Sequence, residues 1–269
     1  MVAYMEHKDL ANTTISDERK QEITDNVHRV LDRLAEATQR AGREPDSVQL
    51  LAATKTRDVA EVVAALNAGI RVIGENRPQE ITAKIEGVRA LCAAQGLTVG
   101  VQENAVEPDV YLHLIGQLQS NKINKVLPYA NVIESVDSED LATKIARRAT
   151  MHDMTARVLL EVNVSGEASK SGCDPAQAKD IAAAIAAMPG IELEGLMTVG
   201  AHVEDKAKIR QGFIQLRTMR DELLASGEEN LHHCTQLSMG MSGDAEIAIE
   251  EGSTQVRLGR AIFGERLFV

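Results

Sequence analysis

The stretch Leu50-Leu51-Ala52-Ala53-Thr54-Lys55-Thr56 decides how the rest of the chain is read. An apolar run of strand character climbs to a single lysine and then breaks. Arg57-Asp58 follow, with Asp58 placed to cap a helix that starts at Val59. A lysine at the last position of a buried strand is costly to desolvate unless it has a partner or a task. Desolvation also lowers its pKa, and a neutral amine attacks an aldehyde. For this stretch alone, a lysine that snorkels from the strand end into solvent is the simpler reading. The remainder of the chain reverses that preference.

Outward from this stretch, short apolar runs alternate with longer helical stretches. The runs are 48–54, 71–75, 111–116, 132–136, 157–163, 193–199, 234–240 and 255–259. Segments of helical spacing lie between them, among them 59–68, 138–150, 175–187, 204–225 and 245–251. Roughly eight strand–helix units in a chain of this length is the arithmetic of a (β/α)8 TIM barrel. A doubly wound sheet is the alternative, but it usually carries a glycine-rich fingerprint in its first strand–helix turn, where this chain has Lys55. Ahead of the first unit, Ser16 reads as an N-cap, Asp17 and Glu18 suit a helix N-terminus, and Gly42 suits its stop. Ile23, Val27, Val30, Leu31 and Leu34 mark this as an amphipathic packing helix added to the barrel. Residues 1–15 are expected to be a loose lead-in and 97–108 a surface excursion. No composition break marks a second domain, so residues 1–269 read as one.

The bulk numbers narrow the function. Of 269 residues, 44% are hydrophobic and 2% aromatic, with no Trp, so the core is built from Ala, Val, Leu, Ile and Met. A net charge of −11 argues against wholesale nucleic-acid or anionic-membrane binding, while leaving room for a local basic pocket. Cys92, Cys173 and Cys234 form no CxxC pair, which fits a reducing cytoplasm and excludes a disulfide framework or zinc signature. The first ten residues carry Glu6, Lys8 and Asp9 and no apolar signal-peptide core, and no run is long enough to span a bilayer.

In a barrel, function sits at the carboxyl ends of the strands, and the unusual polar residues collect there. Lys55 ends the first strand, Gly74-Glu75-Asn76 the second, His113-Leu114-Ile115-Gly116 the third, and Asn163-Val164-Ser165 the fifth. Gln119-Ser120-Asn121-Lys122 is expected to open the third helix. Ser238-Met239-Gly240-Met241-Ser242 ends the seventh strand and Arg257-Leu258-Gly259 the eighth. Loops seven and eight of such barrels often hold a phosphate, and Gly259 lets a ligand approach the main chain. Closure makes the first and eighth units neighbours. A phosphate cradle beside an amine that captures aldehydes describes pyridoxal 5′-phosphate (PLP).

The sequence resembles the pyridoxal phosphate homeostasis proteins, a PLP-binding barrel family related to the barrel domain of alanine racemase. The resemblance runs through Ala53-Thr54-Lys55-Thr56, Gly74-Glu75-Asn76-Arg77-Pro78-Gln79-Glu80, His113 to Lys122, Ser169-Lys170-Ser171-Gly172, Gly195-Leu196-Met197, Leu237 to Ser242, and Val256-Arg257-Leu258-Gly259. It implies a covalent aldimine on Lys55, with Asn76 and His113 lining the cofactor pocket. Ser238, Gly259 and neighbouring amides, including the Met239-Gly240 turn, would take the phosphate, and Arg257 would face the pyridine nitrogen. An alternative for Arg257 is a salt bridge to a carboxylate such as Glu75. The chain departs from the family pattern at Arg57-Asp58, Arg77-Pro78 and Leu114, which alters the rim of the pocket.

Two decoys are set aside. In 166–172 the lysine precedes the second glycine, so the order of a phosphate-binding P-loop fails. His232-His233 reads as a surface turn pair rather than a metal site. The resemblance implies a monomeric PLP carrier with little turnover, whose partners are PLP and PLP-dependent apoenzymes, with neither nucleic acid nor membrane. The alternative is a PLP-dependent amino-acid racemase. That reaction needs a second acid/base on the far face of the cofactor, and none of Tyr4, Tyr111 and Tyr129 is obviously placed to supply it.

Overall fold

The computed structural model describes residues 9–103, 106–167, 169–201 and 203–265. Eight parallel strands close on themselves in chain order: β1 (Gln49–Ala53), β2 (Val72–Glu75), β3 (Tyr111–Leu114), β4 (Val132–Val136), β5 (Ala156–Glu161), β6 (Ile191–Met197), β7 (Gln236–Ser238) and β8 (Gln255–Leu258). Closure is made by β1 against β8, with Leu51 opposite Arg257. The helices are α1 (Asp17–Arg40), α2 (Val59–Asn67), α3 (Pro78–Ala93), α4 (Glu139–Met151), α5 (Ala178–Ala186), α6 (Lys206–Ala225), α7 (Ala245–Glu250) and α8 (Arg260–Phe263). This is a (β/α)8 TIM barrel with an added N-terminal helix.

Local chemistry explains the elements. Ser16 Oγ accepts from Arg19 N at 3.2 Å to start α1, and Gly42 takes φ +67° just beyond its end. Asp58 Oδ1 accepts from Glu61 N at 3.0 Å to start α2. In α3, Ile81, Ile85, Val88 and Cys92 recur at helical spacing and are buried. The third unit differs from expectation: in place of an α-helix it has a single 3-10 segment, Ser120–Lys125. Pro128 follows almost at once and cannot continue a helix.

Residues 9–15 are not loose. Leu10 O accepts from Val59 N at 3.1 Å and Asn12 O from Ala60 N at 3.0 Å, satisfying first-turn donors of α2. Residues 1–8, the rest of the expected lead-in, lie outside the described residues. Helix α8 is a single turn, too short to cover its share of the sheet, and α1 packs against α2, α7 and α8 in its place. Arg19 Nη2 donates to Phe263 O at 2.7 Å and Asn26 Nδ2 to Ile262 O at 3.0 Å, tying the first helix to the last.

Side chains of alternate strand residues fill the barrel. Leu51, Ala53 and Val72 pack with Tyr111 and Ile115 in one interior cluster, and Val132, Leu159 and Met197 pack with Val199 in another. The free cysteines Cys92, Cys173 and Cys234 are all buried. Among the described residues, no helix is long and apolar enough to cross a membrane.

Candidate functional site

At the carboxyl end of the strands lies a cavity of about 880 Å³. Lys55 lines it from just beyond β1, Asn76 from just beyond β2, and Arg257 and Gly259 from β8 and its end. Thus strands one, two and eight bring four of the expected residues together. The cavity's cations are Lys55, Arg57, Lys170, Arg257 and Arg260, set against the carboxylates Asp244 and Glu265. In a chain of net charge −11 this is a local excess of positive charge, suited to an anionic ligand. Gly243 and Gly259 offer bare backbone to the same cavity beside Ser242. A Cβ on Gly259 would stand 3.2 Å from Ala53 O and 3.4 Å from Ala53 Cβ.

The structure places the other expected residues elsewhere. Ser238 is fully buried inside the barrel: its hydroxyl donates to Glu134 Oε2 at 2.6 Å and accepts from Arg257 Nη1 at 2.7 Å. It ends β7 with its side chain pointing inward, so the hydroxyl that reaches the cavity is that of Ser242, beyond the strand. Met239 points the opposite way, into the core behind the sheet. Gly240 has φ +101°, and a Cβ there would fall 2.6 Å from Ala248 Cβ, so its small size serves the packing of the loop on α7. His113 also points inward but one layer too deep. Ile115, two residues on, reaches the cavity, while His113 helps line a smaller pocket of about 230 Å³ among residues that begin the strands, such as Gln49, Tyr111 and Gln255.

A polar network fills the barrel beneath the cavity. Glu134 accepts from His113 Nδ1 at 2.6 Å, from Gln255 Nε2 at 2.6 Å and from Ser238. Burial pushes its carboxyl up, but His113, Arg257 and Ser238 outweigh that and hold it below the usual range, as an ion. Arg257 is held by Ser238 and by Thr198 O, which accepts from Nη2 at 2.7 Å. Burial lowers its pKa against the pull of Glu134, Glu161 and Asp244, yet arginine stays charged in proteins. Glu75 is not its partner, because Lys84 Nζ lies 2.5 Å from Glu75 Oε1. Glu161 is pushed up to about 7, first by burial and then by Asp137.

Arg57, one of the departures, lines the cavity and anchors the end of α8. Its Nη2 donates to Gly264 O at 3.0 Å, and its guanidinium lies 5.5 Å from the Phe263 ring centre. Lys170, inside the segment set aside as a P-loop decoy, also lines the cavity, with Nζ 2.5 Å from Gly200 O. Arg260, not among the expected residues, also lines the cavity; it directly follows Gly259 in the eighth strand-end loop, a position that pointed there. Tyr4 lies outside the described residues, Tyr111 donates to Glu107 at 2.7 Å, and Tyr129 pairs with Arg89, so neither described ring lines the large cavity. Among the described residues no group of histidines, cysteines and carboxylates could hold a metal ion.

A family model described as alanine racemase, N-terminal domain, matches residues 26–267. The pyridoxal phosphate homeostasis protein of Aquifex aeolicus is 37% identical over 244 residues, covering 91% of this chain and 98% of that one. The chain belongs to the alanine racemase N-terminal domain family, among its pyridoxal phosphate homeostasis members. Two solved structures are similar to the chain over most of its length. A protein of unknown function from Bifidobacterium adolescentis is 62% identical and matches with a TM-score of 0.91, over 95% of this chain and 100% of that one. PipY of Synechococcus elongatus with PLP bound is 32% identical and matches with a TM-score of 0.68, over 86% and 100%.

Proposed function

We propose that this chain binds PLP at the carboxyl end of its barrel and serves intracellular PLP homeostasis, holding, buffering or delivering the cofactor with little or no turnover. The observation that carries the reading is the cationic cavity that Lys55 and Gly259 both line, just beyond the paired strands β1 and β8. Bound PLP supplies an aldehyde that condenses with primary amines and a pyridine ring that withdraws electrons. Lys55 would carry it covalently, as the resemblance implies, and Asn76 would line its pocket. The Ser242-Gly243 turn, Gly259 and Arg260 would take the phosphate through charge-assisted hydrogen bonds. Arg257 would face the ring nitrogen. A fixed positive charge there disfavours protonation of that nitrogen and so weakens the ring as an electron sink, which favours a carrier over a racemase. The carrier is expected to work as a cytoplasmic monomer that hands PLP to apoenzymes.

The test is borohydride reduction of the PLP-loaded protein followed by peptide mass spectrometry. The pyridoxyl adduct is expected on Lys55, and an adduct on Lys122 or Lys170 instead overturns the assignment.

A further inference from the structure

Lys55 stands between two residues whose backbones are held from behind the sheet. Thr54 ends the apolar run and is fully buried, and Thr56 has φ +65°, a left-handed conformation that a β-branched residue adopts only under restraint. The restraint comes from β2 and α3. Glu80 Oε2 accepts from Thr56 N at 2.9 Å. Lys84 Nζ donates to Thr54 O at 3.0 Å, and Thr54 Oγ1 donates to Glu75 Oε1 at 2.6 Å. Lys84 is paired with Glu75 at 2.5 Å and lies 3.8 Å from Glu80. Glu75, Glu80 and Lys84 are each at most 2% exposed.

We propose that Glu75, Glu80 and Lys84 are positioning residues for Lys55, a buried cluster that clamps the backbone on both sides of it so that its amine faces the cavity. This rests on the reading of Lys55 as the PLP lysine.

The cluster has a reason to be ordered. It holds two carboxyl groups and one ammonium in an apolar wall that includes Val62, Ile81 and Leu112, where an unbalanced charge is costly. Glu75 Oε2 is a buried oxygen with no hydrogen-bond partner as an acceptor. A proton on that oxygen would turn it into a donor toward Glu80 and make the cluster neutral. In keeping with this, Glu75 is pushed up to about 7, by burial first and also by Glu80, against the pull of Lys84. Glu80 holds Thr56 and Lys84 holds Thr54.

The test compares Glu80→Ala, Glu80→Gln and Ile81→Ala in the full chain. Gln can accept from Thr56 N and donate to Glu75, so Glu80→Gln should behave as wild type. Glu80→Ala should lose protection of the Thr56 amide in hydrogen exchange, and the PLP concentration needed for half-maximal borohydride trapping on Lys55 should rise about tenfold. Ile81→Ala removes packing beside the cluster while keeping all three clamp side chains and their hydrogen-bonding groups, so its Tm should fall while trapping holds. The proposal is overturned if Glu80→Ala leaves Thr56 exchange unchanged, or loses protection yet traps PLP as wild type does. It is also overturned if Ile81→Ala impairs trapping as much as Glu80→Ala, or if Glu80→Gln does. A wild-type adduct on another lysine overturns the PLP assignment instead, and the clamp is then judged by Thr56 exchange alone.

Discussion

Arg257 and Ser238 meet inside the barrel, Nη1 to Oγ at 2.7 Å, with the same hydroxyl passing its own hydrogen to Glu134. One small side chain therefore couples a buried cation to a buried anion. Ser238→Ala should leave an N–H of Arg257 without an acceptor and Glu134 short of a donor. The expected cost is about 1–3 kcal/mol, read from urea unfolding. PLP affinity should fall as well, because Arg257 loses one of its two anchors. Unchanged stability and affinity would mean that water replaces the hydroxyl without loss.

Exchanging Arg257 for glutamate would place a third carboxylate beside Glu134 and Glu161. The cleaner variant is Arg257→Gln, which removes the cation and keeps a hydrogen-bonding amide. Glu134 would keep His113 as a partner but lose the pull of Arg257 in a fully buried site, so the Tm should fall by several degrees. A Tm within a degree of wild type would contradict this electrostatic account.

Gly259→Val tests the phosphate end. Its Cβ would be in tight but tolerable contact with Ala53, so far-UV circular dichroism should remain that of the folded barrel. The branched methyl groups would occupy space at the cavity wall. PLP affinity should drop at least tenfold, about 1.4 kcal/mol. Wild-type affinity would move the cradle away from the eighth strand-end loop.

The carrier reading predicts almost no carbanion chemistry. Wild-type protein saturated with PLP in D2O should leave the α-proton signal of alanine intact by NMR over hours. Exchange on the order of 1 s⁻¹ or faster would restore the racemase alternative.

Glu161 makes a pH prediction with a definite sign. Its carboxyl is near 4.5 when unfolded and about 7 in the barrel, so the folded state binds more protons between those values. The stability it contributes is present below about pH 4.5 and is lost as pH rises through about 7. The full difference is about 3 kcal/mol at one pKa unit per 1.36 kcal/mol, an upper bound. Glu75 acts in the same direction, whereas Glu134 and Glu246 act in the opposite one. The observable is therefore the wild-type stability curve minus that of Glu161→Gln, which should fall from pH 4.5 to 7. A flat difference would show that Glu161 titrates normally.

Much of this arrangement was legible in the sequence because strand alternation is a local signal. The runs ending at Lys55, Asn76 and Gly259 marked which residues sit at the carboxyl rim. Depth was harder to read. His113 has the right parity, but its register opposite Gly74 puts it a layer below Asn76, and only the paired sheet reveals this. Ser238 shows the same ambiguity, since a strand-ending serine and a loop serine look alike until the strand's last residue is fixed. The Glu75–Glu80–Lys84 cluster was hidden for another reason. Its members lie on a strand and on the helix behind it, and whether charges on separate elements meet depends on packing rather than periodicity.

The seam between β1 and β8 gives the cavity a mechanical meaning. A barrel is a ring cut once by its own chain ends, and here Lys55 lies on one lip of the cut and Gly259 on the other. A ligand gripped by both works as a clasp. It raises the work needed to part the first strand from the last, and its departure leaves the seam to backbone pairing, to α1 and to the contacts of Arg57 with Phe263 and Gly264. Saturation at a hundred times Kd would add about 2.7 kcal/mol against opening. Susceptibility to proteases near that seam would then report how much cofactor the cell has free.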